Sequence, residues 1–364
     1  MTAEDASGSG TIAGARCGAD GIATGPIAIR DNDDALSLQG CTVVDGDLFI
    51  DPCRVCAGAS PECTACGDPA DLTSLRGTED LERVTGSVFL GQFADTAGPE
   101  ARTGHEALAS LAELQGLREI GGDLLVAYAP ALEVAAFPGL ESVAGELRIE
   151  SSFHLDASFP ALVEANDLSL LGPSRHSLEF PSLQNVPGNL WLYQTTITNF
   201  DGVPALVEVG GVDVTHNDLV SDVSPILAIP RLGGAEFVGL TSLTAVDVPA
   251  KGDDFRLTVI DCPAVERVSL SSQTSSLERL YVAENDAMVS LQAPGLRSIS
   301  GGLQLRDNAA LESLAGLASL EYLDTWLTLA GNDRLCQSAV DAFVDGLELG
   351  PDVEHWNVVG NGDC

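Results

Sequence analysis

Apolar and polar residues follow one short phrase that recurs about every 22 residues along the chain. In this phrase two apolar residues flank a third residue, and an asparagine or a cysteine often occupies the sixth position. Clear copies begin at Ile27, Val212, Leu257, Leu280, Leu303 and Leu327, and weaker copies at Leu48, Val88, Leu124, Leu147, Leu168, Leu190 and Ala235. A fixed period of this length predicts a solenoid, because one such unit cannot bury its apolar side without its neighbours.

Each copy predicts a short strand whose two apolar side chains point inward while the middle side chain points outward. Strands one period apart must run in the same direction, so they form a long parallel sheet, and crossovers of this kind are right-handed. Words such as Phe137-Pro-Gly-Leu140 mark a corner, since proline presets a turn. We expect an all-β dominated, right-handed parallel solenoid of about 14 coils with short helical excursions.

The unbroken period predicts one elongated domain with two enlarged coils near its start. Leu108, Leu111 and Leu114 suit a short amphipathic helix in the second enlarged coil, and a further helix is expected from Ser338 to Leu347. The expected organisation is a flexible leader at 1–16, a single solenoid domain at 17–364, a cysteine-rich insertion at 53–66, a helical excursion at 97–114 and a C-terminal cap at 333–364.

The sixth position of the phrase predicts an internal ladder. An asparagine amide there can bond main-chain groups where the coil turns inward. Cysteine is small enough to fill the same slot, so we expect Cys262 to be a free, buried residue without a chemical role.

The chain is strongly acidic, with 54 Asp and Glu against 17 Lys and Arg and a net charge of −37. Such a surface repels phosphate backbones and anionic lipid, which excludes nucleic-acid binding. Solubility in salty surroundings is the favoured explanation of this negative charge. Calcium is the alternative, at Asp31–Asp34, Asp45–Asp47 or Asp253–Asp254, although Leu36 and Thr42 stand where an EF-hand loop has Gly and Glu.

Nine cysteines divide into end pairs, a central cluster and Cys262. Cys336 and Cys364 occupy similar offsets in adjacent coils, a spacing compatible with a disulfide, and Cys17 and Cys41 flank the first coil in the same way. The cluster has the spacing of paired CxxC motifs, which can bind zinc, but the intervening segment is short and the other cysteines indicate an oxidising compartment. Two local disulfides are therefore favoured over zinc, with the pairing open, for Cys53, Cys56, Cys63 and Cys66.

The segment from Cys17 through Gly40-Cys41 to Leu48-Phe-Ile50 resembles the opening of the receptor L domain of insulin-receptor and epidermal-growth-factor-receptor ectodomains. In that family a cysteine pair caps the first coil before the strand. The phrase from Phe137 to Ile149 also resembles fungal cell-wall proteins of this superfamily and bacterial surface proteins with leucine-rich-repeat-like coils, and the end from Asn332 to Cys364 resembles their capping segment. The resemblance implies a solenoid fold and an extracellular or cell-surface location, and it transfers no ligand residues.

No apolar run is long enough to span a membrane, so no direct membrane insertion is expected. No secretory signal stands at the start either, so the extracellular interpretation expects that segment to lie outside this sequence.

A binding or adhesion module that recognises a protein or a carbohydrate is the favoured function, and catalysis is not expected. The chain has one Lys, scattered histidines, and no nucleophile elbow, Walker loop or HExxH motif. A structural surface spacer is the alternative, and a polysaccharide-active solenoid enzyme is the less favoured one.

The ligand is expected on the outward face of the parallel sheet, where large aromatic residues lie outside the core and acidic ones such as Asp213 and Glu236 flank them. Such a face suits a sugar or a protein better than an anionic ligand. A second interpretation is that the 97–114 excursion covers part of this face. The candidate residues are Trp191, Tyr193, Leu171, Tyr281, Phe89 and Leu125.

Overall fold

The computed structural model describes residues 17–50, 72–91, 107–127, 131–132, 134–150, 156–172, 178–349 and 355–363. These residues belong to two compact units, Met1–Leu162 and Val163–Cys364. Parallel strands build a β-solenoid of about 11 turns with few helices, which confirms the predicted fold class. The number of turns is slightly below the expected 14. The proposal of a single domain over 17–364 stays a prediction.

In the first four coils of the first unit, short strands come in pairs, one pair per coil, and in the next coil a single strand of nine residues takes both places. A bend separates the two strands of a pair, and each strand pairs in parallel with its counterpart in the next coil. The strands are β1 (Ile22–Thr24), β2 (Ile27–Ala28), β3 (Val43–Asp45), β4 (Leu48–Ile50), β5 (Arg83–Val84), β6 (Val88–Leu90), β7 (Glu119–Ile120), β8 (Leu124–Ala127), β9 (Val134–Ala136), β10 (Ser142–Glu150) and β11 (Asp156–Ser158).

Side chains at the bend bond to groups of the following coil. Asp47 accepts a hydrogen bond from the Ser87 amide at 2.8 Å, and Asp45 accepts one from the Thr85 hydroxyl at 3.0 Å. Gly46 between them has a φ of 140°, a left-handed value that favours glycine. Both carboxylates of this calcium candidate therefore have partners within the fold.

The candidate segment Asp31–Asp34 has a local structural role as well. Asp31 caps the helix α1 (Asn32–Leu36) by accepting the Asp34 amide at 2.8 Å. Asp34 in turn accepts the Arg30 amide at 2.9 Å and pairs with its guanidinium at 3.3 Å. Within the described residues no group of three or more His, Cys, Asp or Glu side chains is arranged to hold a metal ion. Calcium binding stays a prediction.

The second unit carries a parallel sheet of longer strands on one side and shorter strands on its return sides. The strands are β12 (Glu164–Leu171), β13 (Leu178–Glu179), β14 (Asn185–Tyr193), β15 (Glu208–Thr215), β16 (Arg231–Leu232), β17 (Gly234–Val238), β18 (Ala245–Val248), β19 (Arg256–Ile260), β20 (Arg267–Leu270), β21 (Ser276–Leu277), β22 (Arg279–Ala283), β23 (Ser290–Gln292), β24 (Ser298–Ile299), β25 (Gly302–Arg306), β26 (Tyr322–Leu323), β27 (Trp326–Ala330), β28 (Glu348–Leu349) and β29 (His355–Asn357).

From β15 onward the main sheet of this unit keeps one register from strand to strand, whereas bulges shift the register in β12 and β14 ahead of the apolar phrase. Leu257 pairs with Leu280, Leu280 with Leu303, and Leu303 with Leu327. These leucines are fully buried, as are their counterparts two residues later. The apolar phrase thus forms the core side of the sheet, and its middle residues form the opposite face, as predicted.

The asparagine ladder lies inside the second unit. Asn285, Asn308 and Asn332 are fully buried. The Nδ2 of Asn308 donates to the Val282 carbonyl at 2.9 Å, and its Oδ1 accepts the Asn285 amide at 3.2 Å. The same pattern continues from one asparagine to the next, which confirms the internal ladder.

Cys262 occupies the same ladder slot and is free and buried, as predicted. Its thiol lies 3.4 Å from the Ile260 carbonyl and 3.7 Å from that of Phe237. Its amide donates to the Asn285 side chain at 3.0 Å. Burial raises the pKa of this thiol to about 11.

The helices are short. Besides α1, the described residues contain α2 (Ser224–Leu227), α3 (Gln337–Asp345) and 3-10 turns at Ala112–Leu114 and Ala315–Leu317. The predicted C-terminal helix is confirmed in α3. In the 97–114 excursion the prediction of an amphipathic helix was wrong for the described part, because only Ala112–Leu114 is helical. A spacing of three, from Leu108 to Leu111 to Leu114, buries all three leucines without an α-helix.

Cys17 and Cys41 form the predicted disulfide, with their Cα atoms 5.3 Å apart. Cys336 is also disulfide-bonded, and its backbone pairs with Gly362. Its predicted partner Cys364 lies outside the described residues, as do the leader 1–16 and the cluster of Cys53, Cys56, Cys63 and Cys66.

Candidate ligand-binding face

The outward face of the main sheet in the second unit presents one straight row of side chains. Trp191 lies opposite Asp213, Asp213 opposite Glu236, and the series continues strand by strand. Because the register is constant, every member of the row occupies the same position in its strand. In order, the row is Ser169, Trp191, Asp213, Glu236, Thr258, Tyr281, Gln304 and Thr328.

The first aromatic cluster lies near one end of this row and consists of Leu171, Trp191, Tyr193 and His216. Trp191 is 40% exposed, and its ring centre lies 6.4 Å from that of Tyr193. Tyr193 meets the His216 imidazole edge-on at 6.0 Å and pairs in register with the half-buried Leu171. Three of the predicted site residues are therefore brought together, and His216 joins them.

The backbone positions His216 for this contact. His216 has a φ of 52°, which turns the chain at the end of β15. Gly239 occupies the equivalent place in the next coil, and a side chain there would collide with the His216 ring. The imidazole thus lies over a glycine on one side and contacts Tyr193 on the other.

The second aromatic cluster consists of Arg279, Tyr281 and Trp326. The Trp326 indole is 43% exposed and its ring centre lies 5.7 Å from that of Tyr281. The Arg279 guanidinium lies 4.9 Å from the centre of the Tyr281 ring, a cation–π distance. Gly302 lies opposite Trp326 in register, and a Cβ on Gly302 would overlap the indole. The indole therefore lies flat across the neighbouring strand.

Sequence reasoning named Tyr281 but missed Trp326. The prediction considered the middle residue of the Leu-x-Leu phrase and the residue after the phrase, whereas Trp326 comes just before it. The available signal was the glycine at the same position of the preceding copy, Gly302-Leu303 against Trp326-Leu327. A missing side chain on one strand leaves space for a large ring from the next.

Two carboxylates, Asp213 and Glu236, lie between the aromatic clusters. Burial raises the pKa of Asp213, and the Thr215 hydroxyl, which donates to its carboxylate, partly offsets this rise. Burial also raises the pKa of Glu236, and the negative charge of Asp213 raises it further, while Arg279 opposes the change. Both groups are thus hydrogen-bond acceptors that lie between the two aromatic clusters.

The cations near these carboxylates are engaged elsewhere. Arg256 pairs with Glu278 at 3.8 Å, and Arg279 lies over Tyr281. Within the described part of the chain neither Asp213 nor Glu236 belongs to an ion pair. Thr258, which follows Glu236 in the row, is only 6% exposed.

The remaining predicted residues, Phe89 and Leu125, lie in the first unit. They pair in register on neighbouring strands and are half-buried. Phe89 stacks on Phe49 with ring centres 4.9 Å apart. Residues 97–106 of the segment predicted to cover them lie outside the described residues.

The arrangement offers ring faces for stacking and carboxylate and hydroxyl groups for hydrogen bonds, on an open sheet face. Asp213 and Glu236 are both accessible to solvent. The groups on this face are therefore available to contact a ligand.

No protein-family model matches the chain, and no curated protein is significantly similar to it. Among the helices of the described residues, none is long and apolar enough to cross a membrane.

Proposed function

We propose that this protein is a non-catalytic extracellular or cell-surface binding module that recognises its partner through the outward face of the parallel sheet. The observation that carries the proposal is the first aromatic cluster. Its exposed Trp191 lies beside Tyr193. Tyr193 in turn contacts His216 and pairs in register with Leu171. Large aromatic residues kept outside a finished core are typical of contact sites.

The compartment is supported by the chemistry of the ends of the chain. The disulfide between Cys17 and Cys41 closes the first coil, and Cys336 is disulfide-bonded near the other end. Disulfides persist in oxidising surroundings. The resemblance to receptor L domains and to bacterial leucine-rich-repeat-like surface proteins supports the same location and an adhesive role.

The test uses the purified chain on arrays of glycans and of cell-surface preparations, with and without calcium. The variant Trp191→Ala with Tyr193→Ala should weaken binding at least about tenfold, or about 1.4 kcal/mol, and leave the circular dichroism spectrum unchanged. The control changes two exposed apolar residues outside the sheet face, Leu219→Ala with Val289→Ala, which are 53% and 52% exposed. Unchanged affinity in the first variant would refute the proposed face, and a chain without any partner would favour a surface spacer.

A further inference from the structure

We infer that the two aromatic clusters of the second unit are the two ends of one linear site for an extended, uncharged glycan. This inference rests on the proposed function and adds a ligand class and a second contact region. Trp191 and Tyr281 belong to the same row, with Asp213, Glu236 and Thr258 between them. Four strand spacings of about 4.8 Å put the two clusters about 19 Å apart.

Both clusters are preorganised by a glycine on the neighbouring strand. Gly302 leaves the space in which the Trp326 indole lies, and Gly239 leaves the space for the His216 imidazole. A ring that is already fixed loses little conformational entropy when a ligand stacks on it. The apolar face of a sugar ring packs well on such aromatic surfaces.

The groups between the clusters suit hydroxyl-bearing ligands. Asp213 is half-buried and Glu236 is exposed. Neither belongs to an ion pair in the described structure, so both carboxylates can accept hydrogen bonds from the hydroxyl groups of a sugar. Hydrogen bonds to charged groups are stronger than those between neutral groups. The row can therefore bind the hydroxyl groups of a glycan while the sugar rings of the same glycan stack on the aromatic clusters at the two ends.

Charge favours an uncharged ligand. The protein as a whole carries a net charge of −37, which repels polyanions. On this face Arg256 pairs with Glu278 at 3.8 Å, and the positive charge of Arg279 opposes the negative charge of Glu236. A neutral chain, unlike a polycation, gives up no charge solvation when it binds here.

The sheet favours a glycan over an extended peptide. An added peptide strand needs a free sheet edge, but β17, β19 and β22 each pair with a neighbour on both sides. Only side chains are then available to hold the ligand. The straight row matches an extended chain, such as a β-1,4-linked one, better than a coiled one.

The experiment measures the affinity of the whole protein for neutral β-1,4-linked oligosaccharides of increasing length, built from glucose or from N-acetylglucosamine. We expect affinity to rise at least about tenfold once the oligosaccharide is long enough to span both clusters. Trp191→Ala and Trp326→Ala should each lower the affinity for the long oligosaccharide at least about tenfold. A short oligosaccharide should be sensitive to one of these changes only.

A second variant tests the geometry without removing a ring. Gly302→Ala forces the Trp326 indole off its strand and should weaken the long oligosaccharide several-fold. The matched control is Gly252→Ala, because a Cβ on Gly252 meets no atom within 4 Å. Equal effects of the two glycine variants would overturn the role of the second cluster.

Charged analogues separate the remaining outcomes. Oligomers of glucosamine and of glucuronic acid share the linkage but carry opposite charges. Binding that is confined to the cationic oligomer and abolished by moderate salt would overturn the inference and indicate non-specific attraction to an acidic protein. If a protein partner depends on Trp191 and Tyr193 while no neutral glycan binds, the proposed function stands and the glycan inference fails. If nothing depends on Trp191 and Tyr193, both fail.

Discussion

The asparagine ladder offers the sharpest test of how this solenoid is stabilised. In Asn308→Ala the carboxamide disappears from a fully buried slot. The Val282 carbonyl then loses its donor at 2.9 Å, and the Asn285 amide loses its acceptor at 3.2 Å. Both are buried main-chain groups, so neither can turn to bulk water.

The magnitude follows from the cost of orphaned polar groups. A buried donor or acceptor left unsatisfied costs about 1–3 kcal/mol, so two of them give about 2–6 kcal/mol. The Nδ2 of Asn285 also loses the Asn308 Oδ1 at 3.3 Å, but it stays satisfied because it keeps the Val259 and Ala283 carbonyls. We therefore expect Asn308→Ala to lower the free energy of unfolding of the second unit by about 3 kcal/mol.

The assay is urea unfolding followed by tryptophan fluorescence. All three tryptophans of the chain lie in the second unit, so their emission reports on that unit. Gln273→Ala removes an exposed carboxamide and should change stability by less than about 0.5 kcal/mol. Asn308→Cys should lose less than the alanine variant, since Cys262 fills the equivalent slot. A loss below about 1 kcal/mol in Asn308→Ala would refute the ladder as a stabilising element.

Three further predictions concern stability and reactivity. Replacing Cys17 and Cys41 by alanine should destabilise the first unit by about 3.5 kcal/mol in urea unfolding, on the chain-entropy estimate; an unchanged midpoint would contradict it. Glu236→Gln should stabilise the second unit at neutral pH, because the raised pKa of Glu236 means that its charged form is disfavoured in the folded state. This stability advantage should vanish as the pH falls through that raised pKa, where the wild-type carboxyl is protonated. A Glu236→Gln protein that is less stable than the wild type at neutral pH would contradict the prediction. Cys262 should resist iodoacetamide in the native protein and react in urea, and rapid native alkylation would contradict its burial.

The strands and the ladder were predictable because one constraint repeats. Every copy of the phrase must put its two apolar residues inside, so the starts at Leu257, Leu280 and Leu303 mark the strands directly. The sixth position is equally constrained, because each coil turns inward there and needs a partner for its main chain. The repeat carries this information many times, and single departures such as Cys262 are easy to interpret against it.

The candidate site was only partly predictable because the outward row has no such constraint. Trp191, Tyr193 and Tyr281 could be named, since outward positions follow from inward ones. The contact of Trp326 with Tyr281 depends on the absence of a side chain at Gly302. It therefore requires a residue from each of two neighbouring strands, β25 and β27. Likewise, His216 reaches Tyr193 through a left-handed backbone residue beside Gly239. These contacts between coils become visible only once the register is known.

The residues that stabilise this fold are therefore different from those proposed to bind the ligand, so stability and binding can be tested separately. The inward residues and the ladder hold each coil to the next, whereas the outward row adds side chains to strands whose backbone is already paired. Changes at Trp191 or Trp326 should alter binding while leaving the unfolding midpoint nearly unchanged, and changes at Asn308 should do the reverse. If removal of either tryptophan unfolded the second unit, the rings would be part of the core, and the argument that they are held out for a ligand would no longer stand.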